Sequence, residues 1–203
     1  MHIFADFLRR RKCLIALLLS LGTPRRIAAV RFLVRPYRPE DFRSLREIDQ
    51  SCFPPGISYT QFELKSYIRG SSAFTLVAEE RTSDEVSGPA PENSDTSRIV
   101  GFLVGERTHH GRGHIITIDV RDRVRRHGIG SVLLSSAEEQ FRLMKCASIR
   151  LETAVDNVAA LSFYKRHGYN VIRSLLRYYS NGVDALVLEK DLHSPPQPDN
   201  LLT

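Results

Sequence analysis

Tryptophan is absent from the 203 residues, and cysteine occurs only at Cys13, Cys52 and Cys146. An odd count with neither a Cys-x-x-Cys pair nor zinc-ligand spacing argues against a disulfide framework and a structural zinc site. A reducing compartment, the cytoplasm, is the expected setting. Long apolar runs are also missing. The stretch Cys13 to Leu21, preceded by Arg9, Arg10, Arg11 and Lys12, is too short to cross a bilayer, so no stable membrane insertion is expected. A basic segment before a short apolar run has the outline of a secretion signal or an interfacial helix, but no small-x-small cleavage pattern follows it. Because a self-contained fold begins at Arg31, residues 1–30 are expected to form an extension outside that fold.

Excess charge is scarce once that extension is set aside. The formal charge is +6, yet residues 1–30 hold six basic side chains against Asp6, which leaves the other 173 residues near +1. The high isoelectric point therefore belongs to the extension and argues against nucleic acid as the partner. At this length, with 42% hydrophobic residues, the chain can bury one substantial core, so one domain over residues 31–192 is expected.

Two phosphate motifs are missing as well. No Gly-Lys-Ser/Thr P-loop is present, and Leu133 stands where a dinucleotide fingerprint needs its third glycine. What is present is a β-branched strand, Ile115-Ile116-Thr117-Ile118-Asp119-Val120, and then Arg125-Arg126-His127-Gly128-Ile129-Gly130-Ser131 opening an amphipathic helix. Free N–H groups of a first helical turn face outward, and glycine lets an oxygen approach the backbone without a Cβ in the way. Arg125 and Arg126 add charge to the positive end of the helix dipole. The pattern fits a pyrophosphate, although a Gly-x-Gly at a helix start also serves as a plain tight turn.

Periodicity supplies the element order. Strands are expected over Arg31 to Pro36, Phe74 to Glu80, Arg98 to Glu106, His114 to Val120 and Ala147 to Thr153. Helices are expected over Glu40 to Cys52, Thr60 to Ile68, Gly128 to Met144 and Asn157 to His167. Tyr169 to Tyr178 and Asp184 to Glu189 read as an antiparallel pair around Asn181-Gly182. Residues 83–97, rich in Ser, Pro, Asp and Glu, read as a mobile loop, and residues 193–203 as a disordered tail.

A second constellation runs from Leu151 to Tyr169. Glu152 lies on the strand face opposite Ile149 and Leu151, where it could take a proton from an ammonium. Asn157 and Tyr164 are seven apart, nearly two helical turns, with Ala160 between them. One face could then carry a cofactor, with a phenol placed as a general acid; the alternative is that Asn157 caps the helix and Tyr164 packs. Asp119 could face an acceptor amine or be a solvated strand residue. His109, His110, Arg112 and His114 crowd one turn without ligand spacing, so no metal is expected.

The element order and the segment Asn-x-x-Ala-x-x-Phe-Tyr-x-x-x-Gly-Tyr resemble the GNAT N-acetyltransferase superfamily over residues 31–192. The spacing of Glu152 and Tyr164, with Arg177-Tyr178-Tyr179 and Asp184-Ala185-Leu186, looks like the bacterial ribosomal-protein alanine N-acetyltransferase branch. The resemblance implies an α/β (α+β) domain with about seven strands in a mixed sheet, splayed fourth and fifth strands, and about four helices. It implies acetyl-CoA as cosubstrate, with its pantetheine along Ile118, Asp119 and Val120, its pyrophosphate at Arg125 to Ser131, and a bond from Asn157. It assigns Glu152 as base, Tyr164 as acid, and Phe53, Pro54, Tyr178 and Tyr179 to the acceptor channel. The branch's tryptophan is replaced here within Pro55-Gly56-Ile57-Ser58. The expected reaction is acetyl transfer to a protein or peptide N-terminus, with a ribosomal protein as the partner the resemblance implies. A small-molecule amine acetyltransferase and a non-catalytic acyl-CoA-binding module are the rival readings.

Overall fold

The computed structural model describes residues 31–53, 57–81 and 98–193. The expected extension 1–30, the loop 83–97, the tail beyond His193 and Pro54 lie outside these residues. The strands are β1 (Arg31–Pro36), β2 (Ala73–Arg81), β3 (Ile99–Arg107), β4 (Gly113–Val120), β5 (Ser148–Ala154), β6 (Asn170–Leu175) and β7 (Ala185–Asp191). The helices are α1 (Phe42–Cys52), α2 (Gln61–Ile68), α3 (Ile129–Leu143) and α4 (Val158–Arg166).

One seven-stranded sheet has the order β1-β2-β3-β4-β5-β7-β6, antiparallel except between β4 and β5. That parallel pair meets only at Gly113–Ile149 and His114–Arg150, after which the strands part. The cause is visible on the other side of β4. Val104 pairs with Thr117 but Gly105 with Ile115, so Ile116 is an extra residue, and a bulge of this kind bends and twists its strand. β5 meanwhile keeps its full length against β7, Ser148 to Ala154. The expected splayed, mixed sheet is present.

Helices cover both faces, so the sheet has two cores. Beneath α3 and α4 lie Leu103, Ile115, Leu133, Leu134, Phe141 and Leu151, and beneath α1 and α2 lie Leu45, Ile48, Leu64, Val77, Phe102 and Val104. β3, sandwiched between them, is buried from Ile99 to Gly105, which is why it reads as a continuous apolar run. Gly105 and Gly113 let Phe141 press onto the sheet; a Cβ at either would stand 2.8 or 2.6 Å from its ring.

Local chemistry fixes the element ends. Thr60 caps α2 in a reciprocal box with Glu63, whose carboxylate accepts the Thr60 N–H at 2.8 Å. Arg35 grips Asp41 with two nitrogens at 2.7 and 2.9 Å and Glu79 with a third at 2.6 Å, tying the turn before α1 to β2. Asp41 is buried, so deleting Arg35 would strand its charge at a cost on the order of 3 kcal/mol.

Two expected elements differ. The first helix begins with a 3-10 turn at Pro39–Asp41, so its α-helical part starts at Phe42. The strand expected to reach Tyr178 ends at Leu175, because Asp184 Oδ1 accepts the Arg177 N–H at 2.7 Å and Arg177 adopts φ 50°. Tyr178 and Tyr179 are thereby lifted off the ladder into a loop.

Candidate active site

The splay leaves one edge of β4 without a strand partner beyond His114. At the open end of that gap stands the start of α3. Gly128 is its N-cap at φ 82°, with nothing within 4 Å of the place a Cβ would occupy, and the first intrahelical bond is Val132 N–H to the Gly128 carbonyl. The amides of Ile129, Gly130 and Ser131 therefore have no helical acceptor. Buried Ile129 anchors the turn beneath them.

The two arginines of this loop divide their labour. Arg125 is exposed but folds back on the protein: its Nε donates to the Val120 carbonyl at 3.0 Å, its Nη2 to Cys52 Sγ at 3.3 Å, and it pairs with Asp122. It braces the loop, a role beyond the expected one of facing a phosphate. Arg126, at φ 67°, is exposed and makes no ion pair among the described residues. The His127 ring bonds the Arg125 carbonyl at 2.9 Å.

Asn157 takes the second of its two expected places, the helix cap. Its Oδ1 accepts the Ala160 N–H at 3.1 Å, and its backbone is not helical. The seven-residue spacing to Tyr164 therefore does not put the two on one face; Asn157 is the cap and Tyr164 is buried. Burial, with the charges of Asp119 and Tyr179, pushes the Tyr164 phenol well above its ordinary pKa, so it stays protonated.

Glu152 lies on the sheet face of α1 and α2, half-buried. His114 Nε2 donates to its Oε2 at 2.7 Å, while His114 Nδ1 lies 3.5 Å from Glu106 Oε1. Burial opposes a charge on His114, but hydrogen bonds to the two carboxylates outweigh it and raise its pKa. The β6–β7 loop brings Tyr178 and Tyr179 over this face, edge to face at 5.1 Å. Burial first, then Glu152 among their neighbours, pushes both phenols up, Tyr179 to about 12. Phe53 is half-buried at the end of α1.

Asp119 overturns the solvated-strand expectation. It pairs with Phe102 on the α1 side of the sheet and is 2% exposed. Thr117 Oγ1 donates to its Oδ1 at 2.9 Å, its Oδ2 has no partner, and burial pushes its pKa up to about 8. Ile118 and Val120 pack against the opposite core.

Among the described residues no group of three or more His, Cys, Asp or Glu side chains could hold a metal, and no helix is long and apolar enough to cross a membrane. The sequence profile of the acetyltransferase (GNAT) family matches residues 42–169. The chain belongs to that family. N-alpha-acetyltransferase 30 of Saccharomyces cerevisiae is 38% identical over 150 residues, which cover 73% of this chain and 80% of the relative. Other curated relatives match over shorter stretches, and the chain spans only 51–63% of the length of several of them. Ard1 of Thermoplasma volcanium superposes with a TM-score of 0.66 at 27% identity, covering 80% of this chain and 99% of that one. The ribosomal-protein-S18-alanine N-acetyltransferase of Escherichia coli superposes at 0.65 with 16% identity, covering 85% and 100%. The resemblance to that branch is thus met in the fold. Further structures of this fold hold CoA or acetyl-CoA.

Within this GNAT chain, sequence reasoning missed His114 as the partner of Glu152 and Tyr59 as a wall of the same face. Tyr59 donates to the carbonyl of bulged Ile116 at 3.3 Å and meets Tyr67 edge to face at 5.2 Å. Both pairings span dozens of residues. The available sign for His114 was its inward alternation along β4, hidden among its histidine neighbours.

Proposed function

We propose that this protein transfers acetyl from acetyl-CoA to the α-amine of a protein or peptide. One observation carries the reading: the gap between β4 and β5 has a glycine-opened helix start at its mouth, and Glu152 and Tyr164 flank it from β5 and α4. The cosubstrate fits this place, because the β4 edge offers unpaired backbone groups and the α3 amides offer a cradle for phosphate. Bound there, acetyl-CoA supplies an activated thioester carbonyl. Ile118, Asp119 and Val120 would hold its arm through their backbone, and Gly128 to Ser131 with Arg126 would hold its phosphates.

The protein's residues then handle protons. An ammonium is no nucleophile, and at pH 7 deprotonating an α-amine costs about 1.4 kcal/mol against about 4.6 for a lysine. His114 fixes Glu152 Oε2, which leaves Oε1 to take the ammonium proton. The freed amine nitrogen bonds to the acyl carbon as the carbon–sulfur bond breaks. The Tyr164 hydroxyl gives its proton to the departing sulfur, the second proton shed by the acylated nitrogen restores that hydroxyl, and Glu152 returns the first proton to solvent. Phe53, Tyr178 and Tyr179 line the acceptor's path. The unpaired thiols Cys52 and Cys146 suit a reducing compartment, and the cytoplasm is the setting we assign.

The test is free-thiol release from acetyl-CoA with peptides bearing free N-termini, the same peptides N-blocked but carrying lysine, and small amines. Release with free N-termini alone supports the reading. Release only with small amines, or none despite CoA binding, overturns it.

A further inference from the structure

Beside Glu152, on the acceptor face, opens a pocket of about 220 Å³ lined by Thr108, Arg112, His114, Arg150, Glu152 and Arg173, together with Gly113 and His110. Its charge is mostly positive and incompletely answered. Arg150 gives Nη2 to Glu189 at 3.0 Å, yet its Nε is buried and has no partner. A buried donor left unsatisfied is costly, and native proteins rarely leave one without reason. Arg112 and Arg173, from the β3–β4 hairpin and from β6, make no ion pair among the described residues. Glu106 and Glu152 are both engaged by His114. Three guanidiniums from three separate elements therefore line one concavity, and among the described residues only that of Arg150 is paired, with Glu189.

We propose that this pocket is a specificity site for a carboxylate carried by the acceptor, namely an acidic side chain at the second residue of the peptide. The inference rests on the α-amine reading above, because it places the acceptor nitrogen at Glu152. Arg150 and Glu152 are two residues apart on the same face of β5, a separation of about 6.6 Å. An extended peptide advances about 3.3–3.6 Å per residue, so with its nitrogen at Glu152 its second side chain reaches the arginines. A free amino acid's own carboxylate sits too close to its amine to span that distance. Guanidinium forks bind carboxylates in paired geometry, and a concave, partly desolvated wall strengthens the contact.

The test uses peptides identical except for Glu, Gln or Lys at the second residue, together with free glutamate and aspartate as acceptors. Wild-type protein should favour Glu over Gln by about fivefold in kcat/KM, through KM, and disfavour Lys. Arg173→Glu should reverse the order, and Arg173→Ala should level it; Arg173 is exposed on an edge strand, so a thermal midpoint confirms that both variants fold. Fluorescence anisotropy of the same labelled peptides, without acetyl donor, reads the pocket independently of turnover. A Glu preference in binding with no transfer to any peptide supports the pocket and overturns the α-amine reading. Equal affinities for the three peptides, or free glutamate preferred over the Glu peptide, overturns the pocket.

Discussion

The two sides of the gap between β4 and β5 are built in opposite ways. The side proposed for the cofactor is local: one strand, one loop and the first turn of α3, all within residues 115–131, present backbone amides. The side proposed for the acceptor is assembled from β3, β4, β5, the end of α1 and the β6–β7 loop, and it presents side chains. A site made of backbone demands particular residues mainly where a Cβ or a φ angle would intrude. A site made of side chains depends on packing that brings distant positions together. Each side should therefore fail in its own manner.

The largest separation is expected at Glu152→Gln. Loss of a general base costs roughly 10²–10⁴ in rate, so kcat/KM should fall by that order while the CoA dissociation constant moves less than about twofold. Tyr164→Phe should act similarly on kcat. Steady-state kinetics beside calorimetric CoA binding checks both, and a variant that lost CoA binding in proportion to rate would erase the distinction between the sides.

Asp119 belongs to the strand that the two sides share, and it shows why legibility stopped where it did. The splay was implied only by the family resemblance, whereas element order, the glycine loop and the face on which Glu152 sits could be read from periodicity and motif, because each is set within a few residues. Asp119 could not, because its burial depends on α1 packing over Phe102 and on the bulge at Ile116. The same holds for Asn157, where a seven-residue spacing could not reveal that the helix begins only at Val158. A folded-state pKa of about 8 against 3.8 unfolded means that the unfolded chain ionises first. Stability from this group is therefore lost as pH rises from about 4 to about 8. Asp119→Asn cannot ionise, so its gain should be negligible near pH 4 and reach a few kcal/mol at pH 8, several degrees in Tm. Melting curves at both pH values decide it; a pH-independent difference would mean that the carboxyl is solvated.

On the cofactor side the glycines separate protein demands from ligand demands. A Cβ at Gly130 would meet only the Phe163 ring at 3.5 Å, an ordinary contact, so the protein by itself tolerates alanine there. Gly130→Ala should leave Tm within about 1 °C yet weaken CoA about tenfold, the effect of a methyl intruding on a backbone cradle. Gly128→Ala differs, because φ 82° strains any L residue by about 1 kcal/mol, and it should lower Tm as well. Calorimetric titration and thermal melting of both variants distinguish them, and a folded Gly130→Ala protein with full CoA affinity would remove the phosphates from this loop.

The smallest contrast lies between neighbouring arginines. Exposed Arg126 has no partner among the described residues, so Arg126→Ala should reduce CoA affinity about three- to fivefold, an effect that fades as salt screens it, with no loss of Tm. Arg125 holds Val120, Cys52 and Asp122 together, and replacing it should loosen the loop. Arg125→Ala should then lower both Tm and affinity, with an affinity loss that persists at 0.5 M salt because it comes from geometry rather than from screened charge. Binding isotherms at two ionic strengths separate the cases. Equal salt slopes for the two variants would put both guanidiniums on the phosphates, and the inward bonds of Arg125 would then have to break when CoA binds.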